Sequence, residues 1–224
     1  MKTFIVTGAG TGLGKELALL LAKKGYHLLL IGRSESHLQA VKELIELSGG
    51  SADFLSLDIR KALEIGEELS GLNERYEVYG LVNNAGVGHF GPFDQLTDQQ
   101  IQEMLDTNIL GTILMTKAVL PLLLHQGEGR VVNIVSTAGL RPKVNESVYV
   151  ASKFAVRGFT ESLQKEFEGT SIKFTAAYMG GMNTLFWDYS DHVKDPSRFR
   201  TAEEVAQIIV DHMDQDSIMI ESKK

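Results

Sequence analysis

Apolar residues along the chain gather into short runs at 3–7 (TFIVT), 26–32, 53–57, 79–82, 130–135, 172–177 and 217–220. Between these runs the apolar positions recur at three- and four-residue intervals over 13–24, 35–48, 61–70, 98–126, 149–168 and 201–214. The first pattern predicts strands and the second predicts helices. Runs such as LLLI and VVNIV are apolar on both faces, as strands are when helices cover both sides of a parallel sheet. The regular alternation predicts an α/β fold, doubly wound, with a mostly parallel central sheet of about seven strands and its ligand at their carboxyl ends. No repeat, linker or break in composition divides the chain, so 1–224 reads as one domain. The exception is 179–200, which has no sustained period and carries Gly180, Gly181, Phe186, Trp187, Tyr189 and Pro196. Aperiodic stretches of that length inside an α/β domain tend to be functional, and this one reads as a lid over a substrate.

The first strand runs directly into Gly8-Ala9-Gly10-Thr11-Gly12-Leu13-Gly14 and then into a helix whose Leu13, Leu17 and Leu20/Leu21 share one face. In a strand–glycine turn–helix unit, backbone N–H groups and the helix N-terminus receive a pyrophosphate. The spacing is Gly8-x-x-x-Gly12-x-Gly14 rather than G-x-G-x-x-G, and a plain flexible turn is the competing reading.

A second constellation is YVASK, in which Tyr149 and Lys153 lie four residues apart, with Ser136 thirteen residues upstream at the end of an apolar run. Positions i and i+4 share a helix face, so phenol and ammonium reach the same small volume. A free phenol has a pKa of about 10, and a nearby cation is expected to pull it toward a useful range. A hydroxyl from Ser136 would hold a carbonyl oxygen beside it. The triplet suits proton transfer to or from a carbonyl or alcohol oxygen, although a half-buried tyrosine, a snorkelling lysine and a turn-satisfying serine would share the spacing.

Composition narrows the picture only slightly. A chain of 224 residues with 43% hydrophobic and 23% charged residues can bury a substantial core. A net charge of −7 argues against nucleic acid as the partner. The absence of cysteine excludes disulfides and thiolate-bound metals and fits a cytoplasmic setting. The histidines at 27, 37, 89, 125, 192 and 212 have no metal-ligand spacing, so no metal is expected. Met1-Lys2 leads straight into a strand with no signal-peptide pattern, and the runs LALLLA and VLPLLL are too short to span a bilayer, so no membrane partner is expected.

Taken in order, these motifs resemble the short-chain dehydrogenase/reductase family over essentially the whole chain. Thr7-Gly8-x-x-x-Gly12-x-Gly14 resembles its cofactor turn, Leu57-Asp58-Ile59 its adenine-contacting segment and Asn83-Asn84-Ala85-Gly86 its strand-four signature. Asn108 in TNILG matches a fourth catalytic position, beside the Ser136, Tyr149 and Lys153 triad. The resemblance implies a single Rossmann-type domain and an NAD(P)(H)-dependent oxidoreductase that moves hydride between the nicotinamide and a small-molecule carbonyl or secondary alcohol, reduction being favoured. It implies Tyr149 as general acid/base, Ser136 on the oxyanion, Lys153 on the phenol and the nicotinamide ribose, and Asn108 anchoring a water. Gly8, Thr11, Gly12, Leu13, Gly14, Arg33, Ser34, Asp58, Ile59, Asn84, Ala85, Gly86, Tyr149, Lys153 and Thr184 would contact the cofactor. The family pairs copies through the helices at 98–126 and 149–168, which implies a homodimer or homotetramer. The Ala155/Phe159/Leu163/Phe167 face of the latter helix otherwise reads as core.

Two departures matter. After the sixth strand the family carries Pro-Gly-x-Val-x-Thr, whereas this chain reads Met179-Gly180-Gly181-Met182-Asn183-Thr184. The lost proline loosens the start of the lid, whose short length implies an open pocket. The acid that would bind a ribose 2′-hydroxyl is expected roughly 20 residues beyond the glycine turn. That position reads Ile31-Gly32-Arg33-Ser34, so NADP(H) is favoured over NAD(H). A non-catalytic nucleotide-binding regulatory protein on the same fold is the alternative.

Overall fold

Seven parallel strands form the centre of the computed structural model, which describes residues 1–188 and 192–222. Tyr189, read above as part of the lid, lies outside the described residues. The strands are β1 (Lys2–Thr7), β2 (His27–Gly32), β3 (Ser51–Ser56), β4 (Glu77–Asn83), β5 (Gly129–Ile134), β6 (Ile172–Met179) and, after two short strands described below, β9 (Ser217–Ile220). Their order is β3-β2-β1-β4-β5-β6-β9, and every pairing is parallel. The winding direction reverses between β1 and β4, the switch point at which such sheets open a crevice.

The apolar strands sort their residues by parity onto two helical layers. Phe4 and Val6 of β1, Leu28 and Leu30 of β2, and Val132 and Ile134 of β5 pack with α1 (Gly12–Lys23), α2 (Glu35–Leu47) and α8 (Ala202–His212). The intervening Ile5, Leu29, Ile31 and Val131 pack on the other face with α3 (Ala62–Leu69), α6 (Thr112–Gln126) and α7 (Ser147–Glu166). The short α4 (Leu72–Arg75) lies between α3 and β4. On α7 the buried stripe is Tyr149, Ser152, Lys153, Val156, Thr160 and Leu163. Of the expected apolar face, Leu163 is buried and Phe159 and Phe167 pack against the same core, whereas Ala155 is exposed. A catalytic-type tyrosine and lysine thus take core positions that leucines would otherwise fill.

The expected helix over 98–126 is three pieces: α5 (Asp98–Met104), a π-helical segment Leu105–Gly111, and α6. A π turn inserts an extra residue and redirects side chains, and such turns gather at functional sites. This one turns Asn108 inward, where it is 1% exposed. The stretch Asp98–Gln126 is long and apolar enough to cross a membrane by length and composition, with a mean hydropathy of 1.6. Here it packs on β4 and β5, with Met115, Val119 and Leu123 fully buried.

The described part of 179–200 carries more regular structure than its sequence implies. β6 runs on through Met179, and β7 (Met182–Asn183) pairs in parallel with β8 (Arg200–Thr201). Single 3₁₀ turns form at Leu185–Trp187 and Pro196–Arg198. Gly181 makes this fold-back feasible, because a Cβ there would press into the Phe199 ring at 2.7 Å.

Candidate active site

The glycine turn sits at the carboxyl end of β1, with Gly8 and Gly12 at φ +64 and +53, a region that side chains with a Cβ rarely adopt. Gly14 lies beneath it, and a Cβ there would collide with the Gly8 carbonyl. The turn and α1 can approach closely only because that Cβ is missing. Thr11 precedes α1 with no side-chain cap, leaving the first-turn N–H groups without a side-chain partner. Asn84 staples the turn to β4: its Nδ2 donates to the Thr7 and Gly8 carbonyls at 3.0 and 3.3 Å. The backbone N–H groups of Asn84 and Ala85 donate to Thr7 Oγ1 at 3.0 and 3.1 Å.

A cavity of about 810 Å³ opens along these strand ends. At one end lie Arg33 and Ser34, beyond β2, with Asp58 and Ile59 across from them. Arg60 grips Asp58 through Nε–Oδ1 and Nη2–Oδ2 contacts of 2.9 and 2.6 Å, which holds that carboxyl below its usual range. Arg60 escaped the sequence reading, although its place two residues after Asp58 was the available signal. Ala85, Gly86 and Thr184 line the middle of the cavity, and the Thr184 hydroxyl caps the 3₁₀ turn by accepting from Phe186 N at 3.4 Å.

Ser136, Tyr149 and Lys153 meet at the far end, 7%, 9% and 6% exposed. Ser136 has φ 92 and ψ 150, a region nearly reserved for glycine, at a cost of about 1–3 kcal/mol. Its hydroxyl accepts from Ala138 N at 3.2 Å. Tyr149 and Lys153 stand one turn apart on α7, and the ammonium is 5.7 Å from the phenol ring centre and donates to the Ile134 carbonyl at 2.9 Å. Burial pushes the Lys153 ammonium down to about 8. The expected lowering of the Tyr149 phenol by that cation is not what this geometry produces. Burial raises the phenol, a hydrogen bond with Ser136 opposes the rise, and the charge of Glu146 adds to it. Desolvation is the largest of these effects, and Lys153 is engaged with a backbone carbonyl.

Asn108 and Gly14 do not line the cavity. Asn108 Nδ2 donates to Val87 O and Ser152 Oγ at 2.9 and 3.0 Å, and its Oδ1 accepts from Val87 N at 2.8 Å. It therefore fixes the loop that carries Gly86 against α7. A buried polar ladder continues from it: Thr112 Oγ1 donates to Asn108 O, Thr116 Oγ1 to Thr112 O, and Asn83 Nδ2 to Thr116 Oγ1, at 2.9, 2.8 and 2.9 Å. Asn83 also donates to Asn133, which donates to Thr160, both at 2.8 Å. The sequence reading missed this ladder, although threonines four apart in the apolar stretch TILMTKAV were its signal.

Aromatic rings pack over the phenol. Phe90 meets Tyr149 edge-to-face at 5.4 Å, and Phe186 lies 6.0 Å from it. Trp187 stacks on Phe90 at 5.4 Å and donates from Nε1 to Met182 O at 2.8 Å. His89, in the loop after β4, pairs with Glu103 at 2.9 Å.

Residues 2–194 match the short chain dehydrogenase family. The chain belongs to that family. An uncharacterized oxidoreductase of Listeria monocytogenes is 36% identical over 186 residues, covering 82% of this chain and 75% of that protein. Ketoacyl reductase HetN of Nostoc is 31% identical over 93% of this chain and 74% of its own. The alcohol dehydrogenase of the archaeon Thermococcus sibiricus, complexed with 5-hydroxy-NADP, superimposes with a TM-score of 0.89 at 27% identity, over 100% of this chain and 97% of that one. As a short-chain dehydrogenase the chain is an oxidoreductase, and its doubly wound sheet is that of its relatives.

Proposed function

We propose that this short-chain dehydrogenase is an NADP(H)-dependent enzyme that transfers hydride between the nicotinamide and a carbonyl or secondary alcohol, working chiefly as a reductase. The observation that carries the reading is one continuous cavity joining Arg33 and Ser34 to Ser136, Tyr149 and Lys153. The cradle fits a dinucleotide phosphate: Gly8, Gly10, Thr11 and Gly12 line the cavity, Gly8 and Gly12 hold left-handed backbone angles, and α1 begins there with no side-chain cap on its first N–H groups. When bound, the nicotinamide supplies the hydride. The chain's own residues do the rest. Ser136 holds the carbonyl oxygen and stabilises its developing charge, Tyr149 donates the proton to it, and Lys153 orients the ribose and the phenol. Asn108, through Val87 and Ser152, keeps the loop and α7 in register for that exchange.

Gly8, Thr11, Gly12 and Leu13 serve the pyrophosphate, with Gly14 acting beneath the turn rather than on the ligand, Asp58 and Ile59 the adenine, and Asn84, Ala85, Gly86 and Thr184 the nicotinamide half. Arg33 and the Ser34 hydroxyl serve a 2′-phosphate, and the relative from Thermococcus is itself an NADP-type complex. Arg33→Ala is expected to weaken NADPH about tenfold and to leave NADH nearly unchanged, since a charge-assisted contact is worth about 1.5–3 kcal/mol. Titration of both reduced cofactors checks this, and tighter binding of NADH by the wild type would refute it. Exposed Leu110 and Phe154, at 43% and 41%, support pairing with a second copy across the π-helical segment and α7.

The described part of 179–200 acts as a lid that cofactor and substrate hold shut, excluding water from the reacting atoms. Saturating NADPH with a carbonyl probe is expected to slow proteolysis within 180–198. Equal cleavage with and without ligands would leave an ordinary surface loop. Reduction of a panel comprising a β-keto ester, an aryl ketone, a diketone and a ketose with NADPH tests the activity, and the ketoacyl reductase named above puts the β-keto ester first.

A further inference from the structure

Glu146 is a buried carboxylate whose charge adds to the rise of the Tyr149 phenol and to which the roles assigned above give no other part. It lies just ahead of α7, three residues before Tyr149, with its side chain 7% exposed. A carboxylate removed from water is costly unless cations or donors face it. Two groups do: His192 Nε2 stands 3.0 Å from Oε1, and Lys143 Nζ stands 3.7 Å from Oε2. Lys143 belongs to Glu146's own loop. His192 comes from the opposite side of the cavity, in the 179–200 segment, 46 residues along the chain.

The imidazole makes a second set of contacts. It stacks on Phe90 with ring centres 4.9 Å apart at 21°, and it lies 6.3 Å from Trp187 at 26°. Phe90 in turn rests edge-to-face on Tyr149. The contacts therefore run from Glu146 through His192 and Phe90 to Tyr149, and return to the helix they left. Gly88 permits the crossing, because a Cβ there would strike the Phe90 and Phe186 rings at 2.5 and 2.7 Å. One imidazole ties together the start of α7, the loop after β4 and the segment over the cavity.

We propose that Glu146 and His192 are a positioning pair: the carboxylate holds the imidazole, the imidazole fixes the Phe90–Trp187 wall against Tyr149, and the wall sets where a substrate carbonyl sits over the phenol. The proposal rests on the reading of Tyr149 as the proton donor. Neither residue touches the adenosine end of the cavity, so the pair governs substrate placement and leaves cofactor binding alone. Lys143 offsets the charge of Glu146 without bridging the cavity, so it is not part of the tether.

The test compares wild type with His192→Ala, Glu146→Ala and the double variant, using ethyl acetoacetate as carbonyl probe and acrylamide quenching of Trp187. Each single substitution is expected to raise KM for the probe about tenfold with a smaller change in kcat, and the double to match either single, because coupled partners do not add. Trp187 becomes more accessible to acrylamide by the same amount in all three, while NADPH titrations stay within about twofold of wild type. Glu146→Gln, which keeps an acceptor for His192, is expected to restore most of the wild-type KM. If Glu146→Ala does not fold, Glu146→Leu fills the space without the charge and takes its place. Effects that multiply in the double variant, NADPH affinity falling in step with KM, or Trp187 quenching unchanged from wild type would each overturn the pair. A wild type that never reduces the probe would count against the reading of Tyr149, and the quenching and titration data would still decide the tether.

Discussion

Tyr149→Phe is expected to lower turnover by a factor on the order of 10³, within the range that a positioned general acid contributes. The substitution removes one oxygen from a residue that is 9% exposed and packed against Phe90 and Phe186, so the ring stays where it is. NADPH affinity should change by less than about twofold, because the phenol acts on the substrate oxygen and uniform binding is untouched. Steady-state rates with a responsive carbonyl, together with an NADPH titration, separate the two effects. Retention of most of the turnover would contradict Tyr149 as the proton donor and would favour a nucleotide-binding regulator on the same fold.

Lys153→Met is expected to abolish turnover, weaken NADPH and yet stabilise the fold by about 1–3 kcal/mol near neutrality. Burial lowers the ammonium from 10.5 to about 8, so below that pH the folded protein carries a charge it has removed from water. Every tenfold loss of proton affinity on folding costs roughly 1.4 kcal/mol, and loss of the 2.9 Å hydrogen bond to Ile134 O offsets about 1 kcal/mol of the gain. The sign follows from proton counting. Between about 8 and 10.5 the unfolded chain holds a proton at this site that the folded chain has released. Wild-type stability therefore rises with pH across that window, and the advantage of Lys153→Met shrinks there. Thermal unfolding of both proteins at neutral and alkaline pH checks the prediction. A variant less stable than wild type at neutral pH would mean that Lys153 supports the fold rather than straining it.

The legible part of the fold was the part set by periodicity. Strands with two apolar faces, such as β2 and β5, can only be buried between helical layers, and the glycine turn alone marks where the crevice opens. What periodicity could not reveal was the interruption at Leu105–Gly111. A π turn adds a residue without changing the apolar content, so the sequence reads as one long helix, and Asn108 reads as a poor helix former rather than a loop anchor. The buried face of α7 departs from its apolar pattern for a related reason. Tyr149, Ser152, Lys153 and Thr160 are polar by type but take the core stripe, each with a partner or a role that repays its burial.

The candidate site was legible in identity and less so in electrostatics. Ser136, Tyr149 and Lys153 could be named from spacing. Whether the phenol's pKa rises or falls depends on how far each group is removed from water, and spacing does not encode that. Glu146 and His192 gave no sequence signal. They are distant along the chain, and each is ordinary in composition, so only the folding of 179–200 back over Tyr149 brings them within 3.0 Å. The same folding explains how a short segment places aromatic rings near Tyr149. Phe186 and Trp187 reach Phe90 because β7 pairs with β8 and turns them inward.

The central claim is that NADPH gives up its hydride to a carbonyl whose oxygen Tyr149 protonates. The most direct measurement supplies NADPH carrying deuterium on the transferable position, with the β-keto ester as acceptor, and locates the label in the product. The account predicts carbonyl-dependent oxidation of NADPH by the wild type, with deuterium on the new carbinol carbon, and loss of both with Tyr149→Phe. Tight NADPH binding with no consumption across the carbonyl panel, or label transfer that Tyr149→Phe leaves intact, would contradict it.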